Sequence, residues 1–120
     1  MKGWLRDRLA WMDRQIGRLI REIDALGLAD DTLVVFLSDN GGAMYAGGGA
    51  NNAPFRGGKG ETFEGGIRVP MIASWPGVTP PGSVCTTPVI IEDFFATLVE
   101  LGGGRLDGEI DGWSFVPLLR

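Results

Sequence analysis

The stretch Thr32-Leu33-Val34-Val35-Phe36-Leu37-Ser38-Asp39-Asn40-Gly41-Gly42 is the part of the sequence that decides the fold. It begins with a nearly unbroken apolar run, 32–37, rich in β-branched and aromatic side chains. Such a run predicts a strand buried on both faces, which is typical of a parallel sheet covered by helices. The polar residues that follow would then lie at the carboxyl end of the strand, the edge of an open α/β sheet where ligands bind.

Two oxygen-bearing side chains, Asp39 and Asn40, stand together at this predicted edge. A carboxylate and an amide carbonyl are the oxygens that Ca²⁺ or Mg²⁺ prefers. The same residues, followed by two glycines, also favour a simple Asx-type turn, and the tetrapeptide alone is better explained that way. The sequence further along the chain favours the metal-binding interpretation.

An amphipathic helix is predicted upstream of the strand, from about Gly3 to Leu26, and Gly27 is well placed to end it in a left-handed conformation. Its apolar stripe repeats at three- and four-residue spacing through Leu5, Leu9, Met12, Ile16, Leu19, Ile23 and Leu26. A helix, a short turn and a strand make half of a βαβ unit, so we expect this stripe to be buried on the sheet.

A glycine-rich loop over 42–66 follows the strand, and a loop of this length in a compact domain is usually functional or disordered. A second strand should begin at or after Pro70, because proline cannot donate a hydrogen bond to a sheet. Helical spacing then predicts a helix over 91–101, which the glycines at 102–104 should stop. The apolar segment 115–119 is expected to pack against the preceding elements.

The composition is that of one small globular domain, with 120 residues, 44% apolar and 22% charged. A net charge of −4 argues against a nucleic-acid partner held by phosphate contacts. Histidine is absent, so any imidazole that a mechanism needs as base, acid or ligand must come from elsewhere, and the single cysteine excludes an internal disulfide. No apolar run approaches the length of a membrane span.

Several blocks of this sequence, taken in order, carry a resemblance to a known family. The sharpest block is RGGKGETFEGGIRVP, at Arg56–Pro70. The others are Met12–Gly17, Gly27–Leu28, Thr32–Phe36, Ser38–Gly41, Asp93–Leu98, Asp111–Gly112 and Pro117–Leu119. Together they resemble the later part of the catalytic domain of a type I sulfatase, in the alkaline phosphatase superfamily. The resemblance implies an α/β fold, a partial alkaline-phosphatase-like sheet with flanking helices, as a single partial domain over 1–120.

The resemblance also assigns roles to three residues. Asp39 and Asn40 match the family's two ligands of a divalent cation, usually Ca²⁺, with Mg²⁺ as another candidate. Lys59 matches the lysine that binds the sulfate group and acts in catalysis at the leaving oxygen. An isolated GGKG would be explained as an exposed loop lysine, but the blocks on either side favour the functional role. Arg68 and Glu64 are expected to have structural roles, pairing with charges near the base of the loop.

The family nucleophile is a formylglycine made from Cys or Ser in a C/S-x-P/A-x-R motif, and Cys85-Thr86-Thr87-Pro88-Val89 lacks the required proline and arginine. We therefore expect Cys85 to be a small buried side chain. We also expect the chain to be a fragment, inactive alone, whose partner is the missing N-terminal part of the same domain.

The substrate implied is a sulfate ester of a small molecule or a carbohydrate. Two alternatives remain at this point: a non-catalytic, degenerate sulfatase-like module, and a phosphonate or phosphate monoester hydrolase of the same superfamily. A phosphate-binding P-loop is excluded, because Gly60 replaces the Ser or Thr of that motif and Ala53 replaces its first glycine.

Overall fold

The computed structural model describes residues 3–45 and 49–120. These residues form helices α1 (Gly3–Ala25), α2 (Glu64–Ile67) and α3 (Ile91–Leu101) and strands β1 (Val34–Leu37) and β2 (Met71–Ser74). Short 3-10 helices cover Ala29–Asp31 and Val116–Leu119. The mixture of helices and a small sheet confirms the predicted α/β class. The chain divides into two compact units, Met1–Ser74 and Trp75–Arg120, and the expectation of a single partial domain stays a prediction.

Helix α1 has the predicted extent and the predicted end. Gly27 adopts a φ of 68°, the left-handed conformation that glycine allows without steric cost. Its N–H donates to the carbonyl of Asp24 at 2.9 Å, and the N–H of Leu28 donates to the carbonyl of Ile23 at 3.0 Å. This pair of bonds is a Schellman motif, which satisfies carbonyls that the helix itself leaves without partners.

The expectation that α1 buries its apolar stripe on the sheet is wrong for the described chain. No residue of this fully described helix is buried, and Trp11 and Leu19 are 60% and 62% exposed. The helix is exposed because it is much longer than the two strands that could cover it. A helix of 23 residues is about 35 Å long. Each strand has four residues and spans only about 13 Å.

Strands β1 and β2 pair in antiparallel orientation, so the predicted parallel sheet is wrong for this pair. Strand β1 is also exposed towards its end, with Phe36 46% exposed, instead of being buried on both faces. Strand β2 begins directly after Pro70, as predicted. The register sets Leu37 opposite Met71, so the connection 38–70 leaves and re-enters the sheet at the same end. The strand-end residues and the end of the glycine-rich segment are therefore neighbours.

In the second unit, α3 packs against the 3-10 helix at Val116–Leu119. Phe94 and Phe115 meet edge to face, with ring centroids 5.0 Å apart and planes at 72°. The buried residues of this small core are Ala96, Thr97, Phe115, Val116 and Leu119. Helix α3 has the predicted bounds, and Gly103, with a φ of 69°, ends it. The expected packing of the apolar segment 115–119 is confirmed.

Two polar side chains of α3 tie this core together. The hydroxyl of Thr97, which is fully buried, donates to the carbonyl of Asp93 at 2.7 Å and accepts from the N–H of Phe115 at 2.9 Å. The carboxylate of Asp93 accepts from the N–H groups of Ile90 at 2.9 Å and Trp113 at 2.7 Å. These two bonds, the Ile90 one foremost, lower the pKa of Asp93 below its usual value.

The expectation for Cys85 is wrong, because its thiol is exposed. It lies in a segment without helix or strand, beside Val84, which is 88% exposed. Across the residues that the structure describes, no helix is long and apolar enough to cross a membrane.

Replacing Thr97 with valine should destabilise the second unit by about 1–3 kcal/mol, because the buried N–H of Phe115 would lose its acceptor while the side-chain volume stays nearly constant. Urea denaturation followed by circular dichroism measures this. The matched control is Thr86→Val at an exposed position. Equal stability of the two variants would show that the Thr97 hydroxyl contributes nothing.

The lowered pKa of Asp93 makes its contribution to stability dependent on pH. A carboxyl with a depressed folded-state pKa stabilises above its unfolded value of about 3.9 and loses that contribution as pH falls through the folded value. We therefore expect the Asp93→Ala variant to be less stable than the unmodified chain at pH 7 and the difference to shrink below about pH 4. Urea midpoints at pH 7 and pH 3 test this. A difference independent of pH would contradict it.

Candidate active site

The end of β1 is held by short local hydrogen bonds. The hydroxyl of Ser38 donates to the carbonyl of Asn40 at 2.8 Å, and the amide nitrogen Nδ2 of Asn40 donates to the carbonyl of Gly41 at 2.9 Å. The second bond uses only the nitrogen, so the oxygen Oδ1 of Asn40 remains available as a ligand. The side chain of Asp39 is exposed. Both oxygens that the sequence proposes for a cation are thus presented by one turn.

Lys59 stands in a tight turn formed by residues 58–61. The N–H of Glu61 donates to the carbonyl of Gly58 at 2.9 Å, and Gly60 has a φ of 88°. This is the pattern of a type II turn, whose third residue needs a positive φ and is therefore glycine. The carboxylate of Glu61 closes the turn by accepting from the N–H of Gly58 at 2.8 Å. Lys59 is exposed on this turn, between a buried glycine and an exposed one.

Main-chain hydrogen bonds join this turn to the strand end. The N–H of Lys59 donates to the carbonyl of Gly42 at 3.2 Å, two residues beyond Asn40. The N–H of Gly41 donates to the carbonyl of Gly66 at 2.8 Å. The two segments that the sequence singles out are therefore bonded to each other through the backbone. The roles of the three side chains stay predictions.

Close backbone packing explains why glycines dominate the loop. Gly41, Gly58, Gly65 and Gly66 are buried. A Cβ on Gly41 would overlap the carbonyl oxygen of Gly65, and one on Gly66 would overlap that of Glu61. A Cβ on Gly58 would lie 2.6 Å from the carbonyl oxygen of Gly42. Only glycine, which has no side chain, allows these loop segments to approach so closely.

Asn52 is a residue that the sequence analysis missed. Its Oδ1 accepts from the N–H of Gly42 at 3.0 Å, and its Nδ2 donates to the carbonyls of Gly42 at 2.9 Å and Gly57 at 3.0 Å. Asparagine in a glycine-rich loop signals no more than a turn, and the adjacent Asn51 carries the same signal. Only the folded loop distinguishes the two.

Two arginine side chains stack on phenylalanine rings at the base of the loop. The guanidinium of Arg56 lies 3.9 Å from the ring centroid of Phe63, and that of Arg68 lies 4.8 Å from that of Phe55. Arg68 also pairs with Glu64 at 2.9 Å, which confirms the expected charge pairing. Both partners of that pair are more than half exposed, so the ion pair contributes little to stability.

A cavity of about 230 Å³ opens beside the lysine turn, lined by Met44, Tyr45, Gly58, Lys59, Gly60 and Glu61. It offers an apolar wall next to a cation. Within residues 3–45 and 49–120, no cluster of three or more His, Cys, Asp or Glu side chains could enclose a metal ion. Asp39 and Asn40 can therefore supply only part of a coordination shell.

The loop between the antiparallel strands β1 and β2 thus sets the Lys59 turn beside the Asp39-Asn40 strand end. The sequence model of the sulfatase family matches residues 6–104, and the chain belongs to the sulfatase family. Mouse steryl-sulfatase is 41% identical over 128 aligned residues, which cover 100% of this chain and 20% of that protein.

Solved structures agree in fold as well as in sequence. PsFucS1 sulfatase from Pseudoalteromonas sp. superposes with a TM-score of 0.86 and 34% identity, covering 95% of this chain and 24% of that one. Ps i-CgsB, crystallised in complex with k-i-k-neocarrahexaose, gives a TM-score of 0.81 and 40% identity, covering 88% and 23%. The chain thus spans between a fifth and a quarter of the length of these proteins.

The glycine packing predicts a strong effect of a single methyl group. In the Gly65→Ala variant the new Cβ would overlap the carbonyl oxygen of Gly57 and lie 2.7 Å from that of Arg56. We expect a loss of stability of about 3 kcal/mol, because backbone must move to make room. The control is Gly3→Ala, where nothing lies within 4 Å. Similar denaturation midpoints for the two variants would show that the loop has room for a side chain.

Proposed function

We propose that this chain is the part of a sulfuric ester hydrolase that supplies two ligands of a divalent cation and the lysine that binds the sulfate group. The observation that carries the proposal is the hydrogen bond from the N–H of Lys59 to the carbonyl of Gly42, two residues after Asn40. It joins the lysine turn to the strand end through the main chain. Membership of the sulfatase family supports the same reaction class.

Asp39 and Asn40 fit a hard divalent cation, Ca²⁺ or Mg²⁺. Their donors are a carboxylate and an amide oxygen, and the Asn40 oxygen is not consumed by the turn that its nitrogen stabilises. A bound Ca²⁺ takes about six to eight oxygens, so further ligands must come from outside this pair. When bound, the cation would supply positive charge that orients and polarises an anionic ester.

Lys59 would bind the sulfate group through its ammonium. A compact charge with three donors suits the oxygens of a sulfate ester, on which negative charge grows as the S–O bond breaks. The turn is preorganised, since three hydrogen bonds fix it before any ligand arrives: Glu61 N–H to Gly58, Gly58 N–H to Glu61, and Lys59 N–H to Gly42. Little reorganisation is then needed when substrate binds.

The substrate we propose is a sulfate ester of a small molecule or a carbohydrate. The oligosaccharide bound to Ps i-CgsB supports the carbohydrate class. The alcohol part of the substrate would contact Met44 and Tyr45 in the cavity beside Lys59, because an apolar wall there complements a ring or sugar face. Cys85 lacks the nucleophile motif, so the 120 residues alone should be inactive.

Lys59→Met should lower turnover of a sulfate ester by about 10²–10³-fold, because it removes the charge while keeping the length of the side chain. The measurement uses this chain joined to the upstream half of a relative that carries C-x-P-x-R, with a chromogenic aryl sulfate as substrate. Arg105→Met, at an exposed position in the second unit, is the matched control for loss of a cation.

Unchanged kinetics in the Lys59→Met variant would remove the lysine from the mechanism. Sulfate hydrolysis by the isolated 120 residues would contradict the proposal from the other side, because no nucleophile of the family is present in them. Hydrolysis of phosphate or phosphonate monoesters in preference to sulfate by the joined protein would reassign the reaction within the superfamily.

A further inference from the structure

We infer that Asn52 is the positioning residue of the site: its side-chain amide holds the Lys59 turn and the strand end in a fixed relation. The inference rests on the proposed function for the role of Lys59, while the hydrogen-bond clamp itself does not. Asn52 would touch neither substrate nor cation, since its effect on the lysine passes through the backbone.

The geometry uses the full donor capacity of the amide. Nδ2 has two hydrogens, and they go to the carbonyls of Gly42 and Gly57 at 2.9 and 3.0 Å. Oδ1 accepts from the N–H of Gly42 at 3.0 Å. Gly42 precedes Asn52 by ten residues and Gly57 follows it by five, so the amide bridges three separate parts of the loop.

One carbonyl couples the clamp to the lysine. The oxygen of Gly42 accepts from Nδ2 of Asn52 at 2.9 Å and from the N–H of Lys59 at 3.2 Å. A carbonyl oxygen has two lone pairs, and both are engaged here. Any rotation of the Gly42 peptide therefore disturbs both bonds together. Nδ2 also donates to the carbonyl of Gly57. Gly57 has a φ of 82° and directly precedes the buried Gly58 of the lysine turn.

Aspartate, alanine and glutamine would each disturb this position. Aspartate has the shape but lacks the donors, and its charge would face two carbonyl oxygens. Alanine would leave the partly buried carbonyl of Gly57 without the donor that now satisfies it. Glutamine would add a methylene where the chain is already close-packed, since Gly42 itself has no room for a Cβ beside Asn52.

Amide hydrogen exchange in the 120-residue chain tests the clamp without any activity assay. In the Asn52→Asp variant we expect the N–H groups of Gly42 and Lys59 to exchange about tenfold faster, while those of α3 stay unchanged. The matched control is Asn51→Asp. Asn51 is exposed, and among the described residues its side chain accepts only from the N–H of Ala53, at 3.0 Å, so its replacement should leave Lys59 protected.

Protonation provides an internal rescue. Below about pH 4 the new carboxyl of the Asn52→Asp variant gains one O–H donor. Protection of the Lys59 N–H, relative to the unmodified chain at the same pH, should then recover in part. If the variant also loses protection in α3 at pH 7, recovery of Lys59 protection at low pH would support the clamp, and the absence of recovery would contradict it. Equal exchange at Lys59 in the variant and the unmodified chain at both pH values would overturn the inference.

The second experiment uses the joined, active protein. Asn52→Ala should lower kcat by about 10- to 100-fold with a smaller change in KM, and it should have little further effect in the Lys59→Met background, since both changes act on one group. Additive losses would indicate a general structural role and overturn the positioning role. Unchanged kinetics in the Lys59→Met variant would instead refute the proposed function, and the exchange experiment would still test the clamp.

Discussion

The carbonyl group of Gly42 is the point on which the loop depends. It accepts two hydrogen bonds, one from the side chain of Asn52 and one from the main chain of Lys59. Both donors can reach it only because the neighbouring positions are glycines, whose missing side chains let three lengths of backbone lie in contact. A methyl group at any of the buried glycines would separate these lengths. The chemistry proposed for Lys59 therefore rests on an absence of side chains more than on any stabilising contact of its own.

The sheet register supplies the second constraint. Leu37 opposite Met71 brings both ends of the connection to one end of the hairpin, and the bond from Gly41 to Gly66 extends the same approach beyond the last strand residue. Asp39 follows the strand at this point, so its position is set by the sheet. Lys59 lies in the middle of the connection, so its position is set by the loop. The proposed site thus depends on both the sheet and the loop, which are joined at the Gly42 carbonyl.

Local sequence signals predicted local structure well. Gly27, Pro70 and the glycines at 102–104 mark element ends by restricting or freeing φ, and each acts within a turn of its own position. Signals that depend on distant partners failed. The apolar run of β1 is as compatible with a parallel strand covered on both faces as with the antiparallel strand observed. The exposure of Cys85 could not be predicted from its neighbours in sequence. Asn52 was missed for the same reason, because nothing in an asparagine distinguishes one that bridges three segments from one that closes a turn.

The two halves of the proposed site differ in how completely this chain specifies them. In the part of the chain that the structure describes, the hydrogen bonds that shape the lysine turn come from residues between 42 and 61, so the turn is defined by its own short sequence. The proposed cation ligands are different, because Asp39 and Asn40 would supply two donors to an ion that needs about six to eight. Charge that binds an anion can be presented by one rigid turn, whereas a cation must be surrounded. In the proposed site, the lysine would therefore be positioned by a single loop, whereas a cation would need ligands beyond Asp39 and Asn40.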